Sequence, residues 1–207
     1  MMKIFDTEGF PNPARVRITL AEKGATDQVT CVPADVMAAE HRSPLFRAKN
    51  PDATVPHAEL ECGTCISQYT AITEYIDGAF EGPTLIGDTP TQRATTQMMN
   101  LRAEAGLVDA VGAYFHHATP GLGPELETYQ NADWGQKKRE TAQSTMRYLD
   151  GVLADNAFLA GDAFSMAGIT AVAGLAFADF AKVEIPSELT HLARWRTQVA
   201  ARPSCGG

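Results

Sequence analysis

The chain has 207 residues, 44% hydrophobic and 20% charged, enough apolar material for one large or two small domains of an ordinary globular protein. Its net charge of −8 argues against a nucleic-acid or anionic-membrane partner, because such binding relies on clustered lysine and arginine. No apolar run approaches the roughly 18 residues needed to span a bilayer, and four cysteines are too few for a disulfide scaffold, so a reducing, cytoplasmic setting is expected.

The chain starts without a signal-peptide core and enters a strand at residues 3–6. Gly9-Phe10-Pro11-Asn12-Pro13 is a dense turn. A helix is expected over 14–23, with Asn12 as its N-cap, Pro13 at its first position and Gly24 as its stop. Residues 29–32 read as a second strand, and 37–49 as a short irregular helical stretch around Leu45 and Phe46. After the Asn50-Pro51-Asp52 turn, 55–60 and 65–67 flank Gly63-Thr64 as a hairpin. The first of these strands begins on Val55-Pro56. Proline donates no ladder hydrogen bond and belongs at a strand's first residue or edge. The backbone of Val55 is therefore free to pair with something other than the sheet, such as a peptide-like ligand docked as an extra strand. Residues 69–80 form a helix with Ile72, Tyr75 and Ile76 on one face. The order β-α-β-α-β-β-α predicts a mixed sheet with helices on its faces.

The stretch from Glu81 to Pro90 is rich in glycine and proline and reads as a linker. The remainder is helical. One long helix is expected over 91–118, a second over 133–153, a nearly all-apolar and therefore buried one over 165–181, and a last one over 187–201. Gly206-Gly207 reads as a disordered tail. The expected division is a domain at 1–82, a linker at 83–90 and an all-helical domain at 91–207.

Four segments carry a resemblance. They are Phe10-Pro11-Asn12-Pro13-Ala14-Arg15-Val16-Arg17-Ile18, Asn50-Pro51 followed by Val55-Pro56, Ser67-Gln68-Tyr69-Thr70-Ala71-Ile72, and Gly161-Asp162-Ala163-Phe164-Ser165-Met166-Ala167-Gly168-Ile169. In this order and spacing the chain resembles the cytosolic glutathione S-transferases over nearly all its length, most closely the fungal and bacterial Gtt2-like group. The resemblance implies an α/β plus all-α protein: an N-terminal thioredoxin-like βαβαββα domain and a C-terminal helical bundle. It also implies a homodimer that conjugates the thiolate of glutathione, its co-substrate, to small hydrophobic electrophiles in detoxification. Three positions depart from the family pattern. Phe10 stands where the family has its catalytic Ser or Cys, Gln68-Tyr69 where it has Glu-Ser, and Gly168 where the buried helix's capping box has Asp. The alternatives left open are a non-catalytic glutathione-binding protein and a glutathione-dependent reductase or isomerase.

By the same resemblance the Val55-Pro56 bond is cis and the Val55 main chain pairs with the cysteinyl unit of glutathione. Gln68 and Tyr69 open a helix whose positive dipole end suits the γ-glutamyl carboxylate, and His41 is expected on the glycyl carboxylate. Phe10 borders the bound thiol. A thiol titrates near 8.5 when unperturbed and attacks as thiolate, so something must favour its ionised form. The candidates are Asn12 with the amides of Ala14 and Arg15 at the first helix start, and His116 or His117 acting through a water as a base. Adjacent helical residues point about 100° apart, so only one of the two histidines is expected to serve. Phe10, Tyr114 and His117 are expected to wall the electrophile pocket. Cys62 and Cys65 flank a hairpin turn rather than opening the first helix, so no catalytic redox role is assigned to them. With His57 they supply too few ligands for a metal.

Overall fold

The structure is a computed structural model and describes residues 1–205; Gly206 and Gly207, expected as tail, lie outside the described residues. The chain divides into two compact units, Met1–Leu85 and the residues from Ile86 onward.

In the first unit, four strands form one mixed sheet in the order β2-β1-β3-β4: β1 Lys3–Asp6, β2 Thr30–Pro33, β3 His57–Glu59 and β4 Cys65–Ser67. β1 runs parallel to β2 and antiparallel to β3, with Ile4 opposite both Cys31 and Ala58. The helices are α1 Pro11–Glu22, α2 Pro44–Lys49 and α3 Tyr69–Ala79. Phe5 and His57 are register partners, and Phe46 of α2 closes on both rings at centroid distances of 5.8 and 5.7 Å. Ile4 and Ala58, one position along, point to the opposite face, and the buried side chains of α1 and α3 include Val16, Leu20, Ile72 and Ile76.

The expected start of the first helix is corrected. α1 begins at Pro11, three residues early, and Phe10 is its N-cap. Pro11 takes the first position, where a missing N–H costs nothing, and Asn12 is already inside the first turn. Residues 81–85 are also less free than their composition suggests. The buried Lys23 ammonium reaches Asp77 Oδ1 (3.3 Å), Asp77 O (3.0 Å) and Pro83 O (3.2 Å). Asp77 in turn accepts from the Leu85 amide and the Thr84 hydroxyl. This node fastens the segment to α1 and α3 as far as the buried Leu85.

The second unit contains α4 Pro90–Ala103, α5 Asp109–Ala118, α6 Ala132–Asp155, α7 Met166–Phe180 and α8 Thr190–Ala200. The single helix expected over 91–118 is interrupted by a π-helical turn at Glu104–Val108. Packing accounts for the irregularity: a Cβ at Gly106 would run into Thr145, and Leu107 fills the space that a side chain on Gly174 would need. α7 is buried along most of its length, as its composition requires. Its N-terminus is weaker than expected. Half of a capping box is missing from the sequence, but in the structure neither half forms. Ser165 makes no side-chain cap bond, and its buried Oγ has no partner among the described residues.

Candidate functional site

The site in the first unit is organised by the turn before β3. Asn50 is fully buried. Its Nδ2 donates to Thr54 O (2.8 Å) and its Oδ1 accepts from the Asp52 amide (3.2 Å), so one side chain holds both arms of the turn. The chain then enters Val55-Pro56 through a cis peptide bond. The sheet pairing starts only at His57. Val55 is buried, yet its backbone N–H and C=O bond to nothing among the described residues. Buried backbone groups are almost always paired. A donor and an acceptor left open at the end of a strand form a docking edge for a peptide-like molecule.

Gln68 follows β4 directly and caps α3 with φ 72°, ψ 125°, outside the regions ordinary residues prefer. Such strained conformers concentrate where a chain holds a ligand. Its Nε2 donates to Asp52 Oδ2 (3.0 Å), so its carbonyl oxygen is the end left to accept. α3 has neither a side-chain cap nor an acidic residue in its first turn, which leaves its positive dipole end uncompensated by its own side chains. The Tyr69 ring is buried, with the Arg15 guanidinium 4.0 Å from its centroid. Tyr69 therefore brings its main chain to the site and its side chain to the core.

Arg15, expected only as an amide donor, is the connector through its side chain. It is itself buried, and its Nη2 donates to Asn12 Oδ1 (2.7 Å). Asn12 is exposed, and with its oxygen taken, its side-chain N–H groups remain to donate outward. The first turn of α1 offers little else. Pro11 and Pro13 have no N–H, and the Ala14 amide is spent on Phe10 O (3.1 Å), which removes Ala14 from the expected donors. The Phe10 side chain has no hydrogen-bonding group.

His41 lies in the short 3₁₀ turn Glu40–Arg42 and is buried. Burial, reinforced by the charges of Arg42 and Arg47, pushes its pKa below the usual value, and its buried Nδ1 has no partner among the described residues. A neutral, unpaired imidazole beside two arginines is suited to receiving an anion's oxygen. His57, expected to add little, is a core residue packed between Phe5 and Phe46. Burial likewise lowers its pKa.

In the second unit the adjacent histidines at the end of α5 have different partners. His116 Nδ1 is 2.6 Å from Glu127 Oε1, and that carboxylate also accepts from the Leu122 amide (2.8 Å). Burial pushes the Glu127 carboxyl up, but the Leu122 amide and the two histidines outweigh it and hold its pKa low. Gln130 adds bonds to His116 O and Thr119 O. His116 is thus part of a brace that ties the 119–130 segment to α5. His117 Nδ1 instead accepts from the Asn131 amide (3.2 Å). An acceptor at Nδ1 places the neutral ring's proton on Nε2, so His117 presents a donor. The exposed Tyr129 ring stands edge-on to it at 6.0 Å. Tyr114 is half-buried under the Arg139 guanidinium (5.9 Å). Phe115 packs on Phe177 and Phe180. Glu127 and Tyr129 lie in a loop without periodicity, and no sequence pattern marks them; Asn131 is the N-cap of α6, its Oδ1 accepting from the Trp134 amide (3.0 Å).

Residues 1–78 match the family profile described as the glutathione S-transferase N-terminal domain, and residues 101–203 match the C-terminal domain. A solved structure of a glutathione S-transferase domain-containing protein from Marinobacter aquaeolei VT8 is 68% identical, with a TM-score of 0.97 over 98% of this chain and 99% of that one. Glutathione S-transferase 2 of Saccharomyces cerevisiae is 50% identical over 203 residues, 98% of this chain and 87% of that protein. The crystal structure of Gtt2 from the same yeast is 50% identical, with a TM-score of 0.96 over 99% of this chain and 98% of that one.

Proposed function

This chain belongs to the glutathione S-transferase family, within its Gtt2-like group, and from that premise we propose how its own residues conjugate glutathione to small electrophiles. Val55 pairs through both backbone groups with the cysteinyl unit, next to Pro56. The γ-glutamyl carboxylate lies at the start of α3, on the backbone of Gln68 and Tyr69, and the Gln68 carbonyl accepts from the γ-glutamyl ammonium. His41 receives the glycyl carboxylate. The observation that carries this reading is the buried, unpaired backbone of Val55, which matches a peptide in extended form.

The thiol must lose its proton before it attacks, and here the usual hydroxyl is replaced by Phe10. Asn12 takes that role. Arg15 holds its oxygen, so its N–H groups favour the thiolate over the thiol. Of the two histidines His117 is the catalytic one, as a donor from Nε2, and His116 is a brace. A donor role replaces the base role expected from sequence, because Nδ1 is already engaged. Phe10 is the apolar group that the first unit offers to an electrophile, and Tyr114 and His117 are those that the second unit offers, each considered on its own unit. The protein works as a cytoplasmic homodimer. Exposed apolar side chains support the dimer on each unit separately: Leu45 on α2, and Met98 and Leu101 on α4.

Calorimetric titration with glutathione and with S-methylglutathione, together with turnover of a panel of aryl halides, epoxides and enals, tests the reading. Binding of both peptides and conjugation of at least one electrophile class are expected. No binding and no conjugation would refute it. Binding without thiolate absorbance near neutral pH would remove the Asn12 and His117 roles while leaving the slot.

A further inference from the structure

The tip of the β3–β4 hairpin carries chemistry that conjugation does not use. The Leu60 amide donates to Thr64 O (2.8 Å) and the Gly63 amide to Leu60 O (2.9 Å), which closes a tight turn with Gly63 at φ 86°. Two thiols frame that turn. Cys62 lies within it and is exposed, and Cys65 is the first residue of β4, an edge strand. Cys62 Sγ is 3.3 Å from Thr64 Oγ1, and Cys65 Sγ is 3.8 Å from Gly63 O. Cys62 Sγ thus lies against Thr64 and Cys65 Sγ against Gly63, and these two residues are the ones that separate the cysteines in sequence.

We propose that Cys62 and Cys65 are a thiol–disulfide exchange pair for glutathione disulfide, with Cys62 attacking and Cys65 resolving. The Cys62 thiolate attacks one sulfur of glutathione disulfide. A Cys62–glutathione bond forms, the sulfur–sulfur bond of the reagent breaks, and one glutathione thiolate leaves. Cys65 then gives up its proton and attacks Cys62 Sγ, closing the Cys62–Cys65 disulfide and releasing a second glutathione. The two protein thiols are oxidised and one glutathione disulfide is reduced to two glutathiones, so the electrons balance without another reagent. The environment separates these sulfurs from the other exposed thiol. The Thr64 hydroxyl and amide favour the Cys62 thiolate, whereas burial and the Asp6 charge push the Cys31 thiol up. Thiolate fraction and access together choose which cysteine reacts first. Glutathione disulfide acts here as a reagent at an exposed thiol, so the inference does not depend on the slot at Val55.

The test uses the full chain, fully reduced, then exposed to glutathione disulfide without oxygen and read by intact mass and peptide mapping. The wild type is expected to end with a Cys62–Cys65 disulfide and with Cys31 and Cys205 unmodified. Cys65→Ser should stop at a glutathionyl group on Cys62, and Cys62→Ser should give neither product. Thr64→Val should slow the first step several-fold at neutral pH while leaving the far-UV spectrum unchanged. Earlier labelling of Cys31 or Cys205, a wild-type adduct on Cys62 that never closes, or full reactivity of Thr64→Val would overturn the proposal.

Discussion

Gly168→Asp is a substitution on which the sequence pattern and the structure disagree in sign. The family pattern places Asp at the third position of α7, so the change would restore a capping box to Ser165. A completed cap gives about 1 kcal/mol, removing a helical glycine adds up to about 1 kcal/mol, and an acid in the first turn adds about 0.3–1 kcal/mol. The structure leaves no room for it. A Cβ at Gly168 would lie 2.7 and 2.9 Å from two carbons of the Phe164 ring. That ring is itself buried, with Phe158 beside it and the Arg202 guanidinium 4.5 Å from its centroid. Forcing an extra group into such a site costs about 1–3 kcal/mol, and the displaced ring loses its contacts as well. Because Ser165 makes no side-chain cap bond, the cap gain also requires its hydroxyl to be rearranged. We expect a net loss of about 1–2 kcal/mol, or roughly 2–8 °C in Tm for a chain of this size. Thermal and urea unfolding of Gly168→Asp, Phe164→Ala and the double variant measure it. With Phe164 removed, the aspartate should cost less or stabilise, giving a coupling of about 1 kcal/mol or more. A Tm above wild type for Gly168→Asp alone, or strict additivity in the cycle, would show that the Phe164 wedge does not control this helix start.

Asn12→Asp keeps the acceptor that Arg15 holds but removes the outward donor and adds a negative charge. The thiol pKa of bound glutathione should rise by about one unit or more, read from thiolate absorbance against pH; an unchanged pKa rules out the Asn12 role. Asp77→Ala strands the buried Lys23 ammonium and should cost about 3–5 kcal/mol in urea unfolding, and a loss below about 1 kcal/mol would mean the node is not an ion pair that matters. His117→Ala should lower turnover about 10²-fold, whereas His116→Ala should mainly lower thermal stability; if both retain full turnover, activation belongs to the α1 start. Stability should also fall as pH drops below about 6.5. The unfolded histidines then take up protons that buried His41 and His57 resist, since their folded pKa values are lowered, and stability falls wherever the unfolded state binds more protons on acidification. His41→Gln should flatten this slope, and an unaltered slope would remove His41 from the account.

The order of elements was legible because each had a local physical cause: alternating strands, an apolar α7, and prolines and glycines at the ends. The family resemblance was legible because its motifs are those same ends. Contact-dependent features were not. The first helix looked as if it began at Pro13 because Asn12 is a good cap, but Arg15 competes for the Asn12 oxygen from three residues on, and Pro11 serves the first position equally well. The histidines looked equivalent because their sequence neighbours are alike. Their difference comes from Glu127 and Asn131, which are 11 and 14 residues distant. The Val55-Pro56 edge was readable because a proline removes a donor wherever it stands. That Val55 stays unpaired depends instead on Asn50 holding the turn and on the ladder beginning at His57. Sequence thus pointed to the backbone part of the proposed slot, where recognition uses groups every residue has. It named Asn12, His116 and His117 as candidates for activation but did not choose among them, because the side chain that usually announces the activating group is a phenyl ring at position 10. The remaining donors are exposed by what their neighbours bind: Asn12 by Arg15, and His117 by Asn131.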